Sequence, residues 1–342
     1  MKPFWVLRHH ASASVRCLHY DHGMLAVGDE QGQVSLVDLK TLRPRFSWKA
    51  HTDGLLTVIV LSSSRVLTHG RDNNLHVWTL PDLSDVDGTQ DGQQAEPAPS
   101  LVKTIGVNAL NFASCSYRDG LIAVPNALDA AYIDILDLDS GIRTHEAISR
   151  PDIVRSSGQR LPIAMSLHLL QQSVLAGYED GWVRRWSLDG QLLWESRCHS
   201  ESVMSTAICS TFGVSVGADD RIAKFDIKTG KTTIKETTAA GKATVAIAPN
   251  GQTCCVGGWD GSIRVYACED LREIGRLEYH RNTVDALQFC PPVSLEGHST
   301  DSDSDDSSNG HTGPPNRTRQ TPSRLTLAAG GRDGKISLWN FY

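Results

Sequence analysis

Three observations predict an all-β chain built as a closed ring of seven four-stranded sheets. The first is a recurring phrase. GGRDGKISLWNFY, from Gly330 to Tyr342, sets a small-residue pair, an Asp, a tight turn and then alternating apolar residues up to Trp339. That pattern describes two antiparallel strands joined by a hairpin, with the Asp at the turn. GGWDGSIRVY (Gly257 to Tyr266) and GYEDGWVRRW (Gly177 to Trp186) repeat it closely; GADDRIAKF (Gly217 to Phe225) and HGRDNNLHVW (His69 to Trp78) do so more loosely, and GDEQGQVSLV (Gly28 to Val37) weakly. Six residues before each terminal position stand Asp333, Asp260, Asp180, Asp219, Asp72 and Gln31, so the repeats share a register.

The second observation is the spacing. Val37 to Trp78 is 41 residues, Trp186 to Phe225 is 39 and Phe225 to Tyr266 is 41. A period of roughly 40 to 45 with a Trp and Asp signature marks a WD40 β-propeller, one four-stranded blade per repeat. Trp78 to Trp186 is 108, which requires a divergent blade, and VPNALDAAYIDILDL (Val124 to Leu138) supplies it with Asp129 and Ile135 again six apart. Tyr266 to Trp339 is 73, one blade plus a long insertion. The third observation is that the chain stops soon after Trp339, leaving the last blade one strand short, while PFWVL (Pro3 to Leu7) offers a short apolar run at the other end. The predicted fold is a seven-bladed WD40 β-propeller, a single domain over 1–342, closed by an N-terminal strand in the last blade. Closure removes an exposed sheet edge. The competing reading of Phe4 and Trp5 is an exposed docking motif.

In chain order, blade one (VRCLHY, GMLAVGD, QVSLVDL) lacks the turn Asp, ends in Val37 and reads as degenerate. Blade two carries His51, Thr68, Asp72 and Trp78 where this fold places a hydrogen-bonded relay from Trp through Ser/Thr and His to the turn Asp. Buried polar groups need such partners. The same residue types build hydrolase triads, but blade five keeps His199, Ser215 and Asp219 with Phe225 for Trp. Blade seven keeps His280, Asp333 and Trp339 with Ala329 where the hydroxyl belongs. Piecemeal loss of this kind fits a structural network and not catalysis.

Three insertions interrupt the rhythm. Residues 81–100 are acidic and Pro-tipped and read as disordered. Residues 149–162 form a loop with Arg150, Arg155 and Arg160, and residues 291–324 split blade seven with a second disordered, Asp/Ser-rich run. Ser302 in that run is followed by acids in a pattern open to phosphorylation, with a solvated spacer as the plainer reading. Propeller topology sends both acidic insertions to one rim, and the hairpin turns and blade-to-blade links to the other. Partners are expected on this turn rim, where Arg71, Tyr178, Glu179, Trp259 and Arg332 stand beside the turn Asp; Trp and Arg dominate protein interfaces. The plainer reading of Trp259 is a cover for its neighbour. Blades four and five also place Arg185 and Lys224 just before the terminal aromatic, where other blades are aliphatic. A charge between packed blades needs a partner, so these two either reach carboxylates at a blade junction or border a groove open to a partner.

Composition bounds the function. A net charge of −6 gives no basic footprint for direct nucleic-acid binding. Eight Cys without a CxxC pair read as reduced core residues of an intracellular protein, with no metal and no cofactor expected. The N-terminus has neither signal nor transit character, and no apolar run is long enough to span a membrane. No His/Asp/Glu cluster has the spacing of a catalytic or metal site. A non-enzymatic protein with protein partners, and no small-molecule substrate, is expected.

GYEDGWVRRW, GGWDGSIRVY with the following EYHRNTVDALQF, and the ending on GGRDGKISLWNFY resemble the ASTRA-associated WD-repeat proteins of fungi and their animal counterpart, the G-protein β-subunit-like protein 1. The resemblance spans the chain and is sharpest in blades four, six and seven. It implies a scaffold subunit of the ASTRA complex, a chromatin regulator in the nucleus, with the cytoplasm as a second location. It further implies association with the co-chaperone complex that matures phosphatidylinositol-3-kinase-related kinases. It assigns no contact residue. The alternative of a substrate-receptor adaptor for a cullin-type ubiquitin ligase calls for Trp-Asp-x-Arg after a third strand, whereas Trp339 precedes Asn340 and Trp78 precedes Thr79. A G-protein β subunit would carry an N-terminal coiled coil, where here blade material begins by Pro3.

Overall fold

A computed structural model describes residues 2–10, 13–82, 98–108, 113–149, 161–291 and 325–341. Ser302, the three inserted arginines and most of the two acidic insertions lie outside the described residues. Seven antiparallel four-stranded sheets follow one another along the chain. Blade one is β2–β5 (Val15–Asp21, Met24–Asp29, Gln33–Asp38, Arg43–Lys49) and blade two β6–β9 (Leu55–Ser62, Arg65–Gly70, Asn74–Thr79, Ser100–Gly106). Blade three is β10–β13 (Ser116–Arg118, Leu121–Pro125, Ile133–Asp137, Arg143–Ile148) and blade four β14–β17 (Ala164–Leu170, Ser173–Tyr178, Trp182–Ser187, Leu192–Arg197). Blade five is β18–β21 (Val203–Ile208, Phe212–Gly217, Arg221–Asp226, Thr232–Glu236) and blade six β22–β25 (Lys242–Ile247, Thr253–Gly258, Ser262–Ala267, Glu273–Glu278).

Blade seven joins the two ends of the chain. Its own strands are β26 (Val284–Cys290), β27 (Leu325–Gly331) and β28 (Ile336–Phe341), and its outer strand is β1 (Trp5–Leu7), in the order β1-β28-β27-β26. Trp5 faces Leu338, Val6 faces Ser337 and Leu7 faces Ile336, while the Phe4 N–H donates to the Leu338 carbonyl at 2.9 Å. Leu7 is buried among Val15, Leu25, Ile336 and Leu338, so the closing strand is held by side chains as well as by its ladder. Phe4 packs against the same cluster, and only Trp5, 46% exposed, turns outward.

Each blade lies face to face with the next, so its second strand is covered on both sides. Such strands read as continuous small and apolar runs, as MLAVGD in β3 and SVLAGY in β15 do, and both are buried throughout. Outer strands such as TTIKE in β21 are mostly exposed. The core is a series of wedges between blades; one joins Cys17, Ala26 and Leu36 of blade one to Leu55, Val58 and Trp78 of blade two. First strands line the central channel. Close blade contact explains a recurrent glycine: a Cβ on Gly330 would overlap Val15 of blade one, and one on Gly177 would overlap Val203 of blade five.

Blade two sets His69 at this position, fully buried, with neither ring nitrogen hydrogen-bonded among the described residues. Burial, with a smaller contribution from His51, pulls its pKa down to about 3. The folded-state value lies below the unfolded value near 6.5, so the unfolded chain binds a proton that the fold refuses. The stabilisation is therefore complete above pH 6.5 and is lost as pH falls toward 3, at up to about 1.4 kcal/mol per pH unit. His69→Leu should flatten the decline in melting temperature between pH 7 and 5 relative to the parent; equal slopes would show that the ring is not held neutral.

Blade three departs from the sequence reading by one residue. Ile122 faces Leu136, as Val66 faces Trp78 in blade two, so Leu136 and not Ile135 holds the terminal position. The segment between Pro125 and Ile133 is longer than its counterparts and places Asp129 outside the common register. The rims sort as the topology requires: Ala50 and His51, in the link to blade two, donate to Gly32 in the turn of blade one, and Cys198 and His199 donate likewise to Gly181.

Candidate protein-interaction face

The relay residues are structural, and in blade two an indole donor at one end and a carboxylate at the other set the direction of the bonds. In blade two the Trp78 indole can only donate, and it reaches Thr68 Oγ1 at 3.0 Å. The hydroxyl therefore donates onward to His51 Nε2 (2.7 Å), leaving His51 Nδ1–H to donate to Asp72 Oδ1 (2.9 Å). His51 is held neutral, its pKa lowered chiefly by burial. Burial pushes Asp72 up, but bonds from His51 and the Thr52 N–H outweigh it and the carboxyl falls below its ordinary value. A Cβ on Gly70 would occupy the space of the His51 ring, which is why glycine precedes this turn. Blade five repeats the arrangement with His199, Ser215 Oγ and Asp219 at 2.9 Å each, and Phe225 ends it because a phenyl ring offers no donor.

Blade seven supplies its hydroxyl from another strand. Ser337 on β28 sits directly opposite Ala329 on β27. Its Oγ accepts from Trp339 Nε1 and bonds His280 Nε2, both at 2.8 Å, and His280 Nδ1 bonds Asp333 at 2.9 Å. Blade one, read from sequence as degenerate, uses the same device. His10 bonds Ser35 Oγ at 2.8 Å and Asp29 at 2.7 Å. Asp29 stands two residues before the expected turn position, and its other oxygen accepts from the Gln31 and Gln33 N–H groups. His10 precedes His51 by 41 residues, one blade period, and that interval is the signal that could have revealed it.

Blades three, four and six fill this level with other chemistry. Asp134 in blade three is fully buried and bonded by Asn126, Arg143 and the Ala147 N–H. In blade four Trp186 donates to the Tyr178 hydroxyl at 2.9 Å, and the Arg184 guanidinium lies 4.8 Å from that ring's centre while pairing with Asp180 at 2.9 Å. Tyr178 is thus 2% exposed, not an outward rim residue, because it fills the space a relay histidine takes elsewhere. In blade six Arg264 pairs with Asp260 at 2.6 Å; that carboxyl is raised by burial but driven well below its ordinary range by Arg264 and Ser262.

The charges flagged before the terminal aromatics also find partners, though not carboxylates. Arg185 donates to Ser173 Oγ and to the Ile227 carbonyl, each at 3.0 Å, and Lys224 donates to the Cys268 carbonyl at 2.7 Å. Ile227 and Cys268 each lie two residues past the terminal aromatic of the following blade, so both side chains cross a blade junction in the same way. Neither lines the cavity at the channel mouth. Arg185→Leu should lower the melting temperature by removing the donor to Ile227, at a cost of about 1 to 3 kcal/mol; an unchanged melting curve would show the bond to be idle.

On the turn rim the predicted residues divide. Trp259 and Arg332 meet at the channel mouth and line a cavity of about 540 Å³ with Arg16, Met165, Met204 and Asp285. Trp259 lays one ring face against Gly241, whose φ of +77° and missing Cβ allow the contact, and still leaves 47% of its surface exposed. It therefore both covers a neighbour and faces the mouth. Arg332 bonds Asp285 at 2.8 Å. Arg71 is exposed and Glu179 half-buried on the same rim, and neither lines this cavity. Arg16, Met165 and Met204 were missed because channel-facing positions of the first strands carry no motif. Among the described residues no group of three or more His, Cys, Asp or Glu is placed to hold a metal ion. Seven of the eight cysteines are buried thiols.

Comparison with known proteins agrees with this architecture. The family model described as WD domain, G-beta repeat matches residues 234–267 and 272–340. A protein of Verticillium alfalfae named ASTRA-associated protein 1 is 29% identical over 99% of this chain and 93% of its own length. The proteins of that name from Aspergillus flavus and Schizosaccharomyces pombe are 29% and 26% identical, each over 99% of this chain and over 97% and 99% of their own lengths. The chain is a seven-bladed WD-repeat β-propeller, and from end to end its family resemblance is to the ASTRA-associated protein 1 group.

Proposed function

We propose that the chain is a non-enzymatic scaffold subunit of the ASTRA assembly that works in the nucleus, and also in the cytoplasm, by presenting its turn rim to protein partners. The observation that carries the reading is the match to ASTRA-associated protein 1 relatives over nearly their whole length. The geometry supports recognition over chemistry. Thr68, Ser215 and Ser337 are each fully buried inside their relays, where no substrate carbonyl can approach the hydroxyl, whereas a nucleophile must be reachable by what it attacks. On this reading the protein contributes to chromatin remodelling and to the co-chaperone complex that matures phosphatidylinositol-3-kinase-related kinases.

Affinity purification of the tagged full-length chain, followed by mass spectrometry, tests this. Recovery of ASTRA and kinase-maturation subunits is expected, with reduced recovery for Trp259→Ala at unchanged expression. Recovery of cullin components instead would favour a ligase-adaptor role, and undiminished recovery with Trp259→Ala would move the docking face away from the turn rim.

A further inference from the structure

The charges at the channel mouth indicate what chemistry docks there. Asp285 on β26 receives Arg16 Nη1 of blade one at 2.9 Å, and from the blade-seven turn it receives Arg332 Nε at 2.8 Å and Nη2 at 3.3 Å. Both oxygens of this carboxylate are engaged, and its side chain is only 10% exposed. A guanidinium has five N–H donors, and these two commit three between them. The remaining donors make no hydrogen bond among the described residues, and Arg332 is about half exposed. Glu30 is near enough to feel both Arg16 and Arg332; one of its oxygens accepts from the Ser14 N–H at 3.0 Å, and the residue does not line the cavity. Within the cavity, two guanidinium groups therefore face one occupied carboxylate, beside a wall of Leu56, Met165, Met204 and Trp259.

We propose that this mouth takes an acidic segment of a partner protein, a proposal that rests on the turn rim being the docking face. An apolar side chain of the segment seats against Met165, Met204 and Trp259, since thioethers adapt to irregular shapes and Trp anchors interfaces. A neighbouring carboxylate bonds the spare donors of Arg16 and Arg332 in the charge-assisted geometry that guanidinium favours. A basic segment is disfavoured, because it would meet two like charges and a carboxylate already engaged. The apolar wall favours a peptide over a nucleic-acid phosphate.

Selection of random dodecapeptides on the purified full-length chain, with anisotropy titration of the labelled winners, tests the proposal. The expected winners carry Asp or Glu next to a large apolar residue. Their affinity should fall about tenfold when the acid becomes its amide, and by a similar factor with Arg16→Ser or Arg332→Ser at unchanged melting temperature. The amide swap needs no protein variant, so the outcome stands even if Arg16→Ser unfolds. Basic winners that tolerate Arg16→Ser yet are lost with Trp259→Ala would overturn the acidic segment and keep the rim. Winners indifferent to Trp259→Ala and to both arginine changes would overturn both readings. Recovery of no binding peptide overturns the acidic segment alone, since co-purification decides the rim separately.

Discussion

A chain lacking residues 1–10 is expected not to accumulate as a soluble monomer. The deletion removes β1, exposing the β28 edge along Ile336, Ser337 and Leu338, and an open edge invites pairing between chains. It strips Leu7 from its cluster, a loss of about 2 kcal/mol of apolar burial. It also takes His10 away from Asp29, whose side chain is 3% exposed. Losing a hydrogen bond to a buried carboxylate costs about 1.5 to 3 kcal/mol more. Together with the opened edge, the loss approaches the lower end of an ordinary domain's stability, about 5 to 15 kcal/mol. Size-exclusion chromatography and thermal melting of the truncated chain, beside His10→Ala as the milder lesion, check this; a truncated chain that melts like its parent would show that the ring does not depend on its first strand.

Ser337→Ala should destabilise the protein by about 3 kcal/mol, because two buried groups, His280 Nε2 and Trp339 Nε1, lose the oxygen they share. The sharper expectation concerns rescue. Ala329 faces Ser337 across the ladder and occupies the place held by Thr68 in blade two, so Ala329→Thr should recover much of the loss in the Ser337→Ala background and little in the parent. A double-mutant cycle in denaturant measures this coupling. Strict additivity of the two changes would mean that the two strands do not offer equivalent sites for the hydroxyl.

The fold was legible because blade period, turn Asp and terminal aromatic are local signals that survive in five of the seven repeats. The closing strand was legible from the shortfall after Trp339. Less visible was any feature built from residues far apart in sequence. The sequence shows Ala329 without a hydroxyl and Gln31 without a charge; it does not show that Ser337 and Asp29 stand in from neighbouring positions, because the substitution is made across a ladder or along a bent turn. Tyr178 looked like a rim residue because it stands beside the turn Asp, and only the missing relay histidine of blade four explains why it turns inward. Arg16 and Asp285 come from opposite ends of the chain and meet only because the ring is closed.

The varied polar nodes have a consequence for how the ring assembles. Seven near-identical sheets offer many ways to stack out of order, and apolar wedges alone discriminate weakly between them. Here Arg185 with the Ile227 carbonyl, Lys224 with the Cys268 carbonyl and Arg16 with Asp285 each cross from one blade to its neighbour and act as distinct address labels. A sheet that docks beside the wrong neighbour strands a buried donor or acceptor, a penalty that biases the search toward the native sequence of sheets. Irregularity between repeats, costly to recognise from outside, thereby serves as proofreading during folding.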